Sequence, residues 1–177
     1  TAGGMIEQDG RFVAYEPGMY QVTATCGNLS ATKAVKITKR DIQKPIEFIG
    51  RGSVTNVHTS DLWVWEGVDG RDYAVTGTWG ADGEAYFWDV TDPASIQIID
   101  TFKVDARTVN DVKVSEDGTV CIISREGASN RKNGIVILDV TDPTNVTQHA
   151  VFDEGLTGGV HNLFIYQDHV YALSNGE

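Results

Sequence analysis

Acidic and imidazole side chains recur at nearly constant spacing along this chain of 177 residues. Asp61 and Asp111 lie fifty positions apart, and Asn162, with His161 beside it, follows after fifty-one more. Converging carboxylates and imidazoles can bind a cation or a polar ligand. They can also act as the acid/base pair of a hydrolase or lyase. Which chemistry is open to these four residues depends on the elements that position them.

The spacing belongs to a repeat that covers most of the chain. The letters DVTDP occur twice, beginning at Asp89 and Asp139, and each copy follows its upstream aspartate, Asp61 or Asp111, by 28 positions. A third copy, VHNLFIYQDHVYAL, begins in the same register and stops at Glu177. The sequence therefore contains two full units and the first half of a third.

Each unit reads as a series of short strands. Runs such as YAVTG, VCIIS and GIVILDV are apolar and β-branched, and Gly, Asn and Asp separate them. Four such strands in a period of about 50 residues match the size of a propeller blade. The sequence predicts an all-β fold with a partial β-propeller of two and a half four-stranded blades over residues 58–177. The units are about 58–107, 108–158 and a truncated 159–177.

The first 39 residues follow a different pattern. The segment MYQVTATC alternates apolar and polar residues with period two, as expected of a half-buried strand. Three or so strands cannot complete a β-sandwich, so we expect its other half upstream of Thr1. Residues 1–39 are predicted to end such a sandwich, and residues 40–57 to form a linker.

The amino-terminal segment GRFVAYEPGMYQVTATCGNLSATKAVKI resembles the last strands of bacterial Ig-like domains. The residues that carry the match are Gly18, Tyr20, Val22, Ala24 and Gly27. The resemblance implies that this segment is the carboxyl-terminal part of an Ig-like domain.

Residues 58–177 resemble the LVIVD-repeat family of bacterial and archaeal surface proteins. The segments AYFWDVTDP and GIVILDVTDP correspond to the strand that names the family, and VHNLFIYQDHVYAL to its adjoining hairpin. This resemblance implies a β-propeller in an exported, often surface-anchored protein, and it assigns no activity to particular residues.

The first strand of each propeller blade lines the central channel. Polar residues at its start would form a ring at one mouth, which makes Asp61, Asp111, His161 and Asn162 candidate ligand-binding residues. The architectural alternative is that these side chains cap the backbone of neighbouring blades. The loops GTWGADGE and REGASNRKNG supply a second candidate site, because propeller loops carry binding residues. Its members are Trp79, Arg125 and Arg131.

Composition narrows the function. The net charge is −11, from 14 basic and 25 acidic residues, and the basic residues do not cluster, which argues against nucleic-acid binding. No apolar run is long enough for a transmembrane helix. Cys26 and Cys121 form no metal-binding or redox motif, and we expect both to be buried free thiols. We predict no metal, no cofactor and no catalytic residue.

The sequence thus favours a fragment of an exported, cell-surface or secreted repeat protein. Its predicted role is a non-enzymatic binding, adhesion or scaffold module for an unknown protein, glycan or small ligand. The alternative is a hydrolase or lyase with its site at the channel mouth. Because an incomplete propeller leaves an open edge, we also expect the chain to be poorly stable alone or to associate through its last strand.

Overall fold

The structure is a computed structural model that describes residues 3–39 and 43–175. Within these ranges the chain is all-β, and every paired strand is antiparallel. The strands are β1 (Gly4–Ile6), β2 (Phe12–Ala14), β3 (Gly18–Cys26), β4 (Leu29–Ile37), β5 (His58–Glu66), β6 (Asp72–Trp79), β7 (Glu84–Asp89), β8 (Gln97–Lys103), β9 (Val112–Val114), β10 (Val120–Arg125), β11 (Gly134–Asp139), β12 (Thr147–Phe152), β13 (Val160–Tyr166) and β14 (His169–Ser174). The described ranges hold no helix long and apolar enough to cross a membrane.

The chain divides into two compact units, Thr1–Glu47 and Phe48–Glu177. The first consists of two hairpins, β1–β2 and β3–β4. The longer hairpin turns at Gly27, whose φ of +60° lies in the region that favours glycine. None of the side chains described in this unit is buried. Cys26 is therefore exposed, contrary to expectation, whereas Cys121 in the second unit is buried, and burial raises the pKa of its thiol.

The second unit contains two four-stranded sheets and one further hairpin. The first sheet has the order β5-β6-β7-β8, the second sheet is built from β9 to β12 in the same sequential order, and β13–β14 form the third hairpin. Across the described strands the sheets are open, and none closes into a barrel. Residues 50–57, which were predicted as part of a linker, pack on the first sheet through Val54 and Val57.

The two DVTDP segments adopt the same turn. Asp89 Oδ1 accepts a hydrogen bond from the Thr91 N–H at 3.0 Å, and Asp139 Oδ1 accepts one from the Thr141 N–H at 2.9 Å. These are local Asx-type bonds that end a strand and start a turn. In both sheets the pairing of the third with the fourth strand also shifts register at equivalent positions, fifty residues apart.

Each sheet has two apolar faces because alternate residues of a strand point to opposite sides. We call the face toward the following sheet the trailing face and the face toward the preceding one the leading face. The main core lies between the trailing face of the first sheet and the leading face of the second. The trailing residues are Trp63, Trp65, Tyr73, Val75, Ala85 and Phe87, and the leading residues are Val112, Val114, Cys121, Ile123, Val136 and Leu138.

A second core joins the second sheet to the third hairpin. It packs the trailing face of the second sheet against the leading face of the hairpin. Its members are Val120, Ile122, Ile135 and Ile137 on the sheet and Leu163, Ile165 and Ala172 on the hairpin. In both cores, therefore, the trailing face of one group of strands packs against the leading face of the next.

Candidate functional site

The recurring aspartates form hydrogen bonds from one sheet to the next. Asp61 Oδ2 accepts from the Val112 N–H of the second sheet at 3.1 Å. Asp111 Oδ2 accepts from the Leu163 N–H of the third hairpin. Donor and acceptor are 51 positions apart in the first bond and 52 in the second. The fold thus uses equivalent carboxylates for equivalent contacts at two successive steps.

The residues just before the aspartates make a second set of contacts between sheets. Ser60 Oγ donates to the Val109 carbonyl at 2.6 Å, and Asn110 Nδ2 donates to the His161 carbonyl at 2.9 Å. Asn110 Nδ2 also lies 2.8 Å from His161 Nδ1. The polar side chains at this end of the sheets therefore bind backbone groups of the neighbouring sheet.

Close approach at this end requires a glycine. A Cβ atom on Gly77 would lie 2.3 Å from the Val109 carbonyl oxygen and 2.6 Å from Ser60 Oγ. Real Cβ atoms essentially never come so near to another heavy atom. Gly77 is thus needed for the Ser60 contact to the next sheet.

Lys113 joins the two aspartates into one ionic cluster. Its Nζ lies 2.7 Å from Asp61 Oδ2, contacts Asp111 Oδ1 and donates to the Val112 carbonyl at 2.9 Å. It also lies 5.2 Å from the centre of the Trp63 ring, within cation–π range. Only 12% of its side chain is exposed. Its ammonium group is therefore held between two carboxylates and an aromatic face.

The cluster shifts the pKa values of its members in different directions. Burial raises the pKa of Asp61, but hydrogen bonds with Asp111, Lys113 and the Val112 N–H outweigh this effect and lower it to about 2. Burial raises the pKa of Asp111, and its contact with Asp61 raises it further. Burial lowers the pKa of Lys113, but its bonds to both carboxylates raise it by more. Lys113 thus stays charged.

This arrangement is the one that the architectural alternative predicts. A cation at Asp61 and Asp111 would have to displace the ammonium group of Lys113, which already forms ion pairs with both carboxylates. Over residues 3–39 and 43–175, no group of three or more His, Cys, Asp or Glu side chains could hold a metal ion. Asp61 lies in the first sheet, Asp111 precedes the first strand of the second, and His161 and Asn162 are exposed on the third hairpin. The four candidates are thus distributed over three successive groups of strands.

Arg125, a candidate from the loop set, is buried and holds its own loop together. Its Nε donates to the Asp105 carbonyl at 2.9 Å, its Nη1 to the Lys132 carbonyl at 2.8 Å, and its Nη2 to Asp105 Oδ2 at 3.1 Å. A rigid guanidinium fork suits such a task. The side chain therefore anchors the loop that displays Arg131, which is itself exposed with a φ of +59°.

Trp79 is the most exposed of the four tryptophans, with 56% of its surface accessible. The ring of His58 lies across the strand pair, with ring centres 6.4 Å apart and planes at 58°. Trp79 and His58 thus form an exposed aromatic pair at the end of β5 and β6. Sequence reasoning identified Trp79 but did not pair it with His58, although the hairpin register gives that pairing.

Sequence reasoning also missed Lys113. The signal was present, because Lys113 is two residues after Asp111 and period two puts both on one face of a strand. A lysine on the same strand face as a recurring aspartate indicates an ion pair.

A cavity of about 660 Å³ opens on the leading face of the first sheet. Its lining combines polar groups, among them Arg51 and Asp61, with apolar ones, among them Leu62, Val64 and Trp88. Trp88 Nε1 donates to Thr76 Oγ1 at 3.0 Å, which fixes the indole against the sheet.

Comparison with known protein families gives no match to any family model, and comparison with curated proteins gives no match either.

Proposed function

We propose that this chain is part of an exported, cell-surface or secreted repeat protein and acts as a non-enzymatic binding, adhesion or scaffold module. In this proposal, residues 58–107, 108–158 and 159–177 are successive blades of a β-propeller of the LVIVD-repeat type. The observation that carries it is the pair of equivalent steps, Asp61 to Val112 and Asp111 to Leu163. One contact used twice along a stack is typical of repeat architectures.

The Ig-like part of the proposal has support from Tyr20. Its hydroxyl donates to the Glu16 carbonyl at 2.7 Å, and Phe12 packs edge-on against its ring at a centre distance of 5.3 Å. A tyrosine that bonds back to the backbone a few residues upstream is a feature of Ig-type sandwiches. Residues 1–39 are accordingly proposed as the last strands of an Ig-like domain.

The chemistry of the ionic cluster argues against catalysis by these residues. A general base needs a lone pair within reach of a substrate proton. The buried carboxylate of Asp111 already accepts from Lys113 and from the Leu163 N–H. The imidazole of His161 faces the Asn110 amide. We therefore prefer the non-enzymatic module to a hydrolase or lyase that uses these residues.

The proposed binding surface is the end of the first sheet that carries Trp79 and His58. An exposed indole beside an imidazole offers a flat apolar face with polar edges, which suits a sugar ring or a peptide aromatic. Exposed aromatics are enriched at recognition surfaces because they bury a large area at small entropic cost.

The test is a binding screen with the purified chain on a glycan array and on a panel of extracellular matrix proteins. We expect at least one glycan or protein to be retained, and Trp79→Ala to weaken that binding by about tenfold, as loss of one aromatic contact should. Tyr15→Ala, which removes an exposed aromatic from the first unit, is the matched control and should bind like the native chain. Binding that is unchanged by Trp79→Ala, or no retained ligand at all, would contradict the proposal.

A further inference from the structure

A short segment, residues 107–109, runs between the first and second sheets beside Trp79. The Arg107 carbonyl accepts a hydrogen bond from the Ala81 N–H at 3.0 Å, two positions after Trp79. On its other side, the Arg107 N–H donates to the Glu126 carbonyl at 2.8 Å. The segment therefore joins the end of the first sheet that carries the aromatic pair to the β10–β11 loop of the second sheet.

The side chain of Arg107 is exposed and lies against the start of that loop. A Cβ atom on Gly127 would be 2.8 Å from Arg107 Cβ and 3.5 Å from Arg107 Nε. The φ of Gly127 is +71°, so glycine is favoured there by conformation as well as by space. Farther along the same loop, Arg131 and Lys132 are also exposed. Three exposed cations thus belong to the junction between the two sheets.

These three cations form no ion pair with the part of the chain that the structure describes. Two neighbouring carboxylates have other partners. Asp105 Oδ2 accepts from Arg125 Nη2 at 3.1 Å and from Ser129 Oγ at 2.8 Å. Glu126 Oε1 accepts from Asn175 Nδ2 at 3.3 Å, after the third hairpin. The guanidinium groups of the junction are therefore left to interact with solvent or with a ligand.

The charge of the junction differs in sign from that of the whole chain. The β6–β7 loop adds one exposed acid, Asp82, to the three unpaired cations, whereas the net charge of the chain is −11. Guanidinium groups bind carboxylates through two parallel hydrogen bonds. The junction therefore suits a ligand with a few carboxylates, and the negative charge elsewhere would repel a long polyanion.

The backbone of residues 107–109 offers no free hydrogen-bonding group to a ligand. All three N–H groups donate to carbonyls of the adjoining sheets, and all three carbonyls accept from neighbouring groups of the chain. The partners are Ser60, Thr78, Ala81 and Glu126. Extended peptides that add to a sheet are recognised through such backbone groups. A ligand that needs only side-chain contacts, such as a sugar, therefore fits this surface better than a peptide does.

We propose that the surface between Trp79 and Arg107 binds an acidic oligosaccharide, one that contains uronic acid residues. One sugar ring stacks on the Trp79 indole, and the carboxylate of a neighbouring uronic acid pairs with the Arg107 guanidinium. More than one sugar residue is needed, because the Arg107 side chain extends over Gly127 toward the second sheet. This inference rests on the binding role proposed above for Trp79 and adds the chemical class of the ligand.

The probes are tetrasaccharides of galacturonic acid, of mannuronic acid and of hyaluronan, each beside its carboxyl-reduced form. Isothermal titration calorimetry with the full chain measures their affinities. The reduced forms keep the sugar rings and lose the negative charge. We expect at least one acidic tetrasaccharide to bind, and to bind about tenfold or more tightly than its reduced form, because a charge-assisted bidentate contact is lost on reduction.

Three variants separate the two contacts. Arg107→Gln should weaken binding of the acidic tetrasaccharide by about tenfold and leave the reduced form unchanged, whereas Trp79→Ala should weaken both. Arg51→Gln is the matched control and should bind like the native chain. Its neighbour Gly50 lies against the Pro93 carbonyl, at the opposite end of the first sheet. Both arginines are exposed, so these variants should fold, which circular dichroism checks.

Equal binding of the acidic and reduced forms would overturn the inference. So would the absence of binding by every acidic tetrasaccharide, or acidic binding that Arg107→Gln leaves unchanged. Equal or tighter binding of a peptide of alternating glutamate and phenylalanine would assign the surface to acidic proteins instead. In each of these cases the proposed function stands if another ligand is retained through Trp79. If Trp79→Ala weakens no ligand at all, the proposed function is wrong and the inference is wrong with it.

Discussion

At the residue scale, Asp111 shows how one carboxylate can link two elements. It is buried, it accepts from the backbone of the third hairpin, and it forms an ion pair with Lys113 on its own strand. A buried carboxylate is tolerated only where its hydrogen bonds and opposite charge offset the cost of desolvation. Removing the carboxylate would leave Lys113 and the Leu163 N–H without a buried hydrogen-bond acceptor.

We expect Asp111→Ala to lower the free energy of unfolding by about 3 kcal/mol or more, because Lys113 and the Leu163 N–H lose a buried acceptor. Urea unfolding at neutral pH measures the effect. Glu154→Ala, at an exposed turn position, should change the free energy by less than about 0.5 kcal/mol. A loss for Asp111→Ala no larger than that of the control would show that the cluster does not link the sheets.

Asp61 should make the free energy of unfolding depend on pH below about pH 4. Its pKa is about 2 in the folded chain, against an ordinary value of 3.8. A folded pKa below the unfolded one stabilises the fold above pH 4, and this contribution is lost as the pH falls toward 2. The raised pKa of Asp111 acts in the opposite direction, so the two aspartates must be separated by mutation.

The comparison is therefore between the native chain and Asp61→Asn in urea unfolding from pH 7 to pH 2. At pH 7 the native chain should be more stable by about 1 kcal/mol, a modest value because Asp61 is partly exposed to solvent. The difference should shrink as the pH drops from 4 to 2. A difference that stays constant over this range would argue against an ionised, hydrogen-bonded Asp61.

At the scale of elements, the first sheet approaches the second closely near the end of β6. There the backbone at Gly77 lies against the Val109 carbonyl, and Ser60 bonds to the same oxygen. The Val109 N–H donates to the Thr78 carbonyl at 2.9 Å, which adds a backbone bond between the two sheets. The contact therefore depends on the absence of a side chain at one position.

Gly77→Ala should lower the free energy of unfolding by about 1–3 kcal/mol, because the added methyl group must push the second sheet away. Thermal unfolding followed by circular dichroism gives the measurement. Gly18→Ala is a suitable control, since a Cβ there would meet its nearest neighbour, a Tyr20 ring atom, at an ordinary 3.7 Å. If both variants melt like the native chain, the approach at Gly77 is looser than the structure shows.

The strands were largely predictable from the sequence, but the contacts that individual side chains make were predictable only in part. The DVTDP spacing predicted that Asp89 and Asp139 end equivalent strands, because Asx turns are determined by local sequence. The spacing of Asp61 and Asp111 likewise predicted equivalent positions. It could not predict whether their carboxylates point toward a ligand or the next sheet, because that depends on which backbone donors the packing brings near.

Arg125 illustrates the same limit. Its place in a long polar loop suggested a surface role, and the structure buries it among the Asp105 and Lys132 carbonyls. These partners are distant in sequence or lie in irregular loop, so no periodic pattern reveals them. The prediction for Cys26 was wrong for a different reason. Its strand alternates as a half-buried strand does, but Cys26 is the last residue of β3, at the tip of the hairpin, where its side chain is exposed.

At the scale of the whole molecule, the order of the sheets follows the order of the chain. Within residues 48–177, consecutive groups of strands are neighbours in space, and the two cores described above lie between them. Each interface joins only neighbouring groups of strands, so stability accumulates from one interface to the next.

The direction of the aspartate bonds has a consequence for synthesis on the ribosome. Each acceptor is translated some fifty residues before the amide that it will bind, so a newly emerged sheet waits with an unmatched carboxylate until its successor leaves the exit tunnel. Folding should therefore advance from the amino end, each sheet becoming stable only when the next one has been synthesised and packed against it. In a stalled nascent chain, the sheet made last should remain the least stable.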